Sequence, residues 1–482
     1  MLKEMKKVND FEIVNGVLTK YKGTKGIVTI PDGIRSIGEQ AFQGCDNLTS
    51  VNIPDSVTYI GKDAFCNCHN LTNINIPESV TRIDHGAFWG CRGLQDKNGF
   101  VIIRNTLYDY FGDDEVVTIP NGVKTISEQA FCICENLISV TIPNSVTIIC
   151  DCAFCECENL SKVEIPDSVT YIGENIFSGC KGLQDENGFV IIRDTLYDYF
   201  GEEKNITIPD NVKAIANFAF YDCSNLVSIN IPGSTTSIGN EAFSRCSKLT
   251  NISIPNSVTY IGNFAFSFCK NLSSVNMSDN VAFIGDSVFF SCEGLKDENG
   301  FIIVNDILFD YRGDDEVVTI PYGIKTIREN AFCNCINLSS INIPDSVTTI
   351  SKDAFSGCEN LIDVEIPDSV TTIGNGAFAD CQGLQDENGF VIVRDTLYDY
   401  FGTDKNITIP DGVKAISEYA FCECENLISV NIPDSVTYIG SCAFRKCSNL
   451  TSVSISNATS MGSYAFAFCK KLTRIDLREP NK

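Results

Sequence analysis

Cysteine is the residue best equipped to do chemistry in this chain, with 24 copies in 482 residues. The densest run is Cys150-Asp-Cys152-Ala-Phe-Cys155-Glu-Cys157, four sulfurs that could in principle hold a thiophilic metal. The spacing argues against it. C-x-C is not the C-x₂-C of structural zinc sites, and neither His69 nor His85 lies nearby in sequence. Eight cysteines stand outside any regular pattern. Cys66, Cys132, Cys155, Cys333 and Cys422 each make a C-x-C pair, and Cys150, Cys152 and Cys442 are the other three. The remaining sixteen fall at one recurring position, beginning Cys45, Cys68, Cys91 and ending at Cys469, always shortly after a Phe. There a cysteine reads as a small apolar residue pointing inward. Disulfides between neighbouring repeats are geometrically conceivable. Reduced, buried thiols are the expectation, and they favour a reducing compartment or an anaerobic source.

Other chemistry is thinly supplied. An enzyme needs convergent acid, base or nucleophile groups, and the two histidines read as surface residues. Carboxylates abound but recur in turns. Asp96, Asp185, Asp297 and Asp386 each open a D-x-N-G sequence that reads as a turn leading into a hairpin. Calcium in such loops is set aside because no EF-hand or nonapeptide pattern is present. Sequons such as Asn47-Leu-Thr, Asn159-Leu-Ser and Asn449-Leu-Thr lie inside the repeat and read as repeat structure. A net charge of −26 argues against nucleic-acid or anionic-membrane partners. No apolar run reaches the 18 or so residues a membrane helix needs. Neither a cofactor nor a catalytic activity is expected.

The prolines reveal what positions these residues. Pro31, Pro54 and Pro77 are 23 apart, and 14 of the 15 prolines keep this phase in an Ile-Pro pair. Ser278 and Ser456 take the proline position in the two other units. A fixed period of this size signals a solenoid. Within the unit 46–68, Val51 and Ile53 alternate with Ser50 and Asn52, a short strand with one buried face. Pro54 ends the strand, Asp55-Ser56 turns, and Val57–Ile60 is a second extended piece. Position 61, often Gly, Ser or Asp, suits a helix N-cap, and positions 62–66 read as about one helical turn. Leu48, Val51, Ile53, Val57, Ile60, Ala64, Phe65 and Cys68 point inward. One rung of this size cannot fold alone, so stacked rungs must share buried faces. Phe42, Phe65, Phe88, Phe131 and Phe154, with Cys45, Cys68 and Cys91 beside them, are the structural ladder, and the phenylalanines should form a continuous aromatic spine. Sixteen rungs at ~4.8 Å would extend roughly 75–80 Å.

The run LxxVxIPxxVTxIGxxAFxxCxN resembles the BspA-type, or Treponema-type, leucine-rich repeat over nearly the whole chain. The resemblance implies a leucine-rich repeat solenoid, a curved rod of parallel β rungs with short helical turns, without catalytic activity. It further implies a protein often displayed at the cell surface and binding host matrix proteins or other cells. No signal peptide or anchor is legible in the sequence, so an intracellular scaffold is the alternative. The partner expected is a protein or cell-surface ligand, with no membrane insertion, and the chain is expected to be a monomer.

Five inserts interrupt the period: 11–21, 100–110, 189–199, 301–311 and 390–400. Asn15-Gly16 is a strong hairpin signal; Arg104-Asn105, Arg193-Asp194, Asn305-Asp306 and Arg394-Asp395 are weaker ones. The larger period is 89, 89, 112 and 89 residues, the mark of a duplicated cassette. The expected organisation is an N-terminal tail at 1–10, one solenoid at 11–476 and a C-terminal tail at 477–482. Its cassettes would be 11–91, 92–180, 181–292, 293–381 and 382–476. For partner contact two sets stand out. On the outward face of the first strand, a ladder of Asn, Thr and Ser is broken by Lys162 with Glu164 and by Asp363 with Glu365. In the hairpins, Tyr108, Tyr197, Phe309 and Tyr398 supply the aromatics that interfaces favour, or else pack onto adjoining rungs.

Overall fold

The computed structural model describes residues 5–8, 10–456 and 459–478. The chain divides into two compact units, Met1–Ser244 with Ser257–Gly262, and Arg245–Asn256 with Asn263–Lys482. Both are built from the same turn of chain. In one turn of the first unit, Ser50–Asn52 is the first strand and Tyr59–Ile60 the second. Side chains alternate across a strand, so Val51 is buried while Asn52 is exposed. First strands pair in parallel, Val28 with Val51 and Val51 with Ile74. Second strands do the same, Ile37 with Ile60 and Ile60 with Ile83. In the second unit Val318, Ile341 and Val364 form one such column and Ile327, Ile350 and Ile373 another. The pairing register equals the sequence period. Each of these strand positions therefore sits on its own counterpart in the neighbouring turn, and in the buried columns like packs on like.

Phe42, Phe65 and Phe88 are fully buried, their ring centroids 4.9 and 5.4 Å apart and nearly parallel. The expected spine holds within this first cassette but does not continue unbroken past it. At the second hairpin, Tyr108 meets Phe88 edge-on at 82°, and a new stack starts with Phe100, Tyr110 and Phe131. Cys68 and Cys91 are buried as expected, while Cys45 is partly exposed. Their thiols are more than apolar filler. Sγ of Cys68 donates to the Phe42 carbonyl at 3.0 Å and that of Cys91 to Phe65 at 3.1 Å.

Residues 62–66 do not form a helical turn. They lie in a run of hydrogen-bonded turns with Asp63 and Asn67 in the left-handed region, φ 52° and 57°. A helix keeps its backbone bonds inside the segment. Here the left-handed residues swing them along the stack, so that Phe42 N–H donates to Ala64 at 2.7 Å and Phe65 N–H to Ala87 at 2.9 Å. The segment is thus a third ladder between turns. Helix among the described residues is confined to the short 3₁₀ turns Arg92–Leu94, Lys181–Leu183, Glu293–Leu295 and Gln382–Leu384, each just before a hairpin.

The hairpins form where the sequence places them, for example Phe100–Ile103 against Thr106–Tyr110. The second arm then pairs in parallel with the next turn, Leu107 beside Ile126, so each hairpin starts a fresh sheet. Of the stretches expected as tails, residues 1–4, 9 and 479–482 lie outside the described residues, and residues 5–8 and 477–478 belong to strands. Met5–Val8 pairs antiparallel with Phe11–Val14, and Arg474–Arg478 runs past residue 476 in parallel with Ser452–Ser456. An open strand edge presents unpaired N–H and C=O groups, and the adjoining chain takes them up.

Candidate functional site

A stack with a third ladder must end that ladder wherever a hairpin replaces a turn. In the first cassette Gly44 N–H donates to Cys66 and Asn67 N–H to Trp89, at 2.9 and 2.8 Å. Gly90 comes next and has no following turn. Its N–H donates instead to the carboxylate of Asp109, at 2.7 Å. The other oxygen of Asp109 accepts from Tyr110 N–H at 2.8 Å. A side chain from the hairpin thus stands in for the missing carbonyl. Asp198 does the same for Gly179 at 2.9 Å, and Asp399 for Asp380 at 2.8 Å. Asp310, the fourth copy, holds Arg312 at 2.8 Å. Burial pushes the Asp109 carboxyl up to about 6 against the pull of its two N–H donors. Asp310 is likewise pushed up to about 6 by burial, despite Arg312, and Asp198 and Asp399 are raised for the same reason.

At two of the junctions a serine hydroxyl is a further stand-in. Ser417 Oγ accepts from Gly376 N–H at 3.0 Å, and Ser127 Oγ from Gly86 N–H at 3.4 Å. At the hairpin tips, Arg104, Arg193, Asn305 and Arg394 are left-handed, with φ between 55° and 57°. They donate backwards to carbonyls of the preceding turn. Arg394 reaches Pro367 at 2.6 Å and Val370 at 2.7 Å, Arg193 reaches Pro166 at 2.8 Å, and Asn305 reaches Met277 at 3.0 Å. Sequence reasoning missed these roles. The signal available was the recurrence of Asp109, Asp198, Asp310 and Asp399 between two aromatics, where the first hairpin has Lys20.

The residues singled out for partner contact part company. Tyr108, Tyr197 and Tyr398 are 2%, 8% and 2% exposed, so three of the four hairpin aromatics have almost no surface to offer. They close the preceding spine edge-on, Tyr197 against Phe177 and Tyr398 against Phe378. Phe309 is different. It is partly exposed, lies edge-on to Phe289, and lines a cavity of about 480 Å³ with Phe290, Arg312 and Arg328. The Arg312 guanidinium sits 5.2 Å from the Phe290 ring centre and that of Arg328 5.9 Å from Phe309. Lys162 and Glu164 are exposed on the first-strand face and border a groove of about 470 Å³ with Ser139 and Thr141. Elsewhere that face ties its own side chains together, as where Asn342 donates to Thr319 at 3.1 Å. Among the described residues, Lys162, Glu164, Asp363 and Glu365 make no ion pair and no side-chain hydrogen bond.

The cysteine quartet is split by the fold. Cys157 turns inward and donates to the Phe131 carbonyl at 2.9 Å, whereas Cys155 faces Cys132 of the neighbouring turn, Sγ to Sγ 2.9 Å. His69 pairs with Asp46 at 2.8 Å on the surface, and His85 lies 3.4 Å from Glu128. Asp96 accepts from the N–H groups of Asn98 and Phe100, at 2.8 and 3.0 Å, which is the work of a turn residue. No helix among the described residues is long and apolar enough to cross a membrane.

The profile described as "BspA type Leucine rich repeat region (6 copies)" matches residues 21–99, 101–187, 190–311, 302–388 and 392–482. The chain belongs to this family. Leucine-rich repeat solenoids of the BspA type are generally non-catalytic, and leucine-rich repeat proteins typically bind other proteins. Among solved structures, a leucine-rich repeat protein from Bacteroides ovatus ATCC 8483 is 26% identical, over 99% of this chain and 98% of its own, with a TM-score of 0.26. One from Eubacterium ventriosum ATCC 27560 is 25% identical over 77% of this chain and 89% of its own, with a TM-score of 0.32. A leucine rich cell surface protein from Faecalibacterium prausnitzii A2-165 is 26% identical over 98% and 94%, with a TM-score of 0.25. At such TM-scores the assignment of this BspA-type chain rests on the sequence match. No curated protein matches it.

Proposed function

We propose that the protein is a non-enzymatic, adhesion-type binding protein that presents its repeated turns to a protein or cell-surface partner. The observation that carries this reading is the cavity beside the hairpin 301–311. There two aromatic rings and two guanidiniums, the side chains that dominate protein interfaces, lie together and in part exposed. Phe290 is 39% exposed, so its ring is accessible beside the cavity. The uncompensated charges of Lys162, Glu164, Asp363 and Glu365 belong to the same reading. They break a self-bonded polar face at places where a partner could supply the missing counter-charge, and repetition along the stack adds avidity to weak contacts. The test is binding of soluble matrix glycoproteins to the immobilised full chain and to its Phe290→Ser variant. Saturable binding of at least one glycoprotein, weakened about tenfold in the variant, or ~1.4 kcal/mol, is expected. Binding of none, or equal binding by the variant, would overturn it.

A further inference from the structure

We propose that Cys132 and Cys155 are a redox modification site, closing a disulfide between neighbouring turns by exchange with a small-molecule disulfide. The repeat singles the pair out. The position just after the spine phenylalanine carries cysteine in only a few turns, and only here do two consecutive turns both have it. Cys66 has Gln43 and Trp89 as its neighbours in the stack, Cys333 has Ser356, and Cys422 has Arg445.

The parallel ladder fixes the two backbones against each other. Phe131 N–H donates to Ala153 at 2.8 Å and Ile133 N–H to Cys155 at 3.0 Å, bracketing the pair on both sides. Turns at strand spacing stand ~4.8 Å apart, inside the Cα separation of roughly 4.4–6.8 Å that a disulfide needs. The sulfurs are already in contact at 2.9 Å. Both residues are partly exposed, unlike the core cysteines Cys157 and Cys180, which are buried and donate to phenylalanine carbonyls. The hydrogen bond from Cys155 lowers the Cys132 thiol, which makes Cys132 the attacking sulfur.

The Cys132 thiolate attacks one sulfur of the small disulfide, whose S–S bond breaks and whose other half leaves as a thiol after taking a proton from water. Cys155, its proton lost to water, then attacks the Cys132 sulfur of the mixed disulfide and expels the second small thiol. Two protein thiols are oxidised and one small disulfide is reduced to two thiols.

The folded full chain, prepared reduced, is equilibrated with oxidised glutathione, quenched by alkylation and peptide-mapped without reductant. The Cys132–Cys155 cross-link should appear before any other, with loss of two alkylatable thiols. Cys155→Ser should instead accumulate glutathione on Cys132, with an unchanged far-ultraviolet circular dichroism spectrum showing that the variant is folded. Three results would overturn the proposal: a lasting glutathione adduct on Cys132 in the unsubstituted chain, a first link through Cys152, or both thiols remaining free.

Discussion

Asp109 gives the sharpest test of how the cassettes are joined. Its carboxyl is pushed by burial from 3.8 to about 6 while two backbone N–H groups donate to it. Unfolding returns it to an ordinary carboxyl that ionises near 4. Between those values the folded chain holds a proton that the unfolded chain has lost, so stability falls as pH rises and the loss is complete above about 6. At about 1.4 kcal/mol for each tenfold change in proton affinity, the full effect is about 3 kcal/mol. About 1.3 kcal/mol of it falls between pH 5 and 7, away from the sequence pI of 4.4. Asp109→Asn keeps the shape and removes the titration. It leaves one of the two N–H groups facing an amide NH₂, a local penalty of roughly 1–3 kcal/mol. The variant should therefore be clearly less stable than the parent at pH 5, and the gap should narrow by about 1.3 kcal/mol by pH 7. Urea titration at each pH measures the gap, and hydrogen exchange of a peptide spanning residues 86–93 localises it. A gap that stays constant or widens with pH would refute the reasoning, because it would mean that the two donors hold Asp109 ionised.

Arg394→Ala removes donors to the carbonyls of Pro367 and Val370 and should destabilise that junction by about 1 kcal/mol, seen as faster hydrogen exchange just before the hairpin. Phe154→Ala empties a fully buried site between two stacked rings, 5.0 and 5.7 Å away. It should cost about 3–5 kcal/mol in denaturant titrations. Phe466→Ala, at a partly exposed site with one stacked neighbour at 5.0 Å, should lose markedly less. The double variant Lys162→Ala, Glu164→Ala should keep its stability within about 0.5 kcal/mol and lose partner affinity; a clear drop in melting temperature would make those charges structural.

The period, the two strands and the inward residues were legible because each depends on composition at fixed spacing. Val51 and Ile53 alternate with polar neighbours, and Pro54 ends the run. The turn segment was not legible. Left-handed backbone is usually announced by Gly or Asn, yet Gln40, Asp63, Cys152 and Glu241 adopt it here. Bonds to the neighbouring turn hold them there, and one turn read alone cannot show that. Gly61 was read as a helix cap and serves close packing instead: a Cβ there would fall 2.9 Å from the Glu39 nitrogen. The junction side chains were opaque for a related reason. Asp109 and Arg104 answer groups on Gly90 and Pro77, well outside the hairpin. The same distance left Tyr108 open between partner contact and packing onto the adjoining rung, and its burial against Phe88 decides for packing.

The measurement that bears most directly on a surface-displayed binding protein is labelling of intact source cells with a membrane-impermeant, amine-reactive probe, followed by recovery of this chain. The account predicts strong labelling without lysis, at exposed lysines such as Lys162. Labelling that appears only after lysis would contradict it and place the binding face inside the cell.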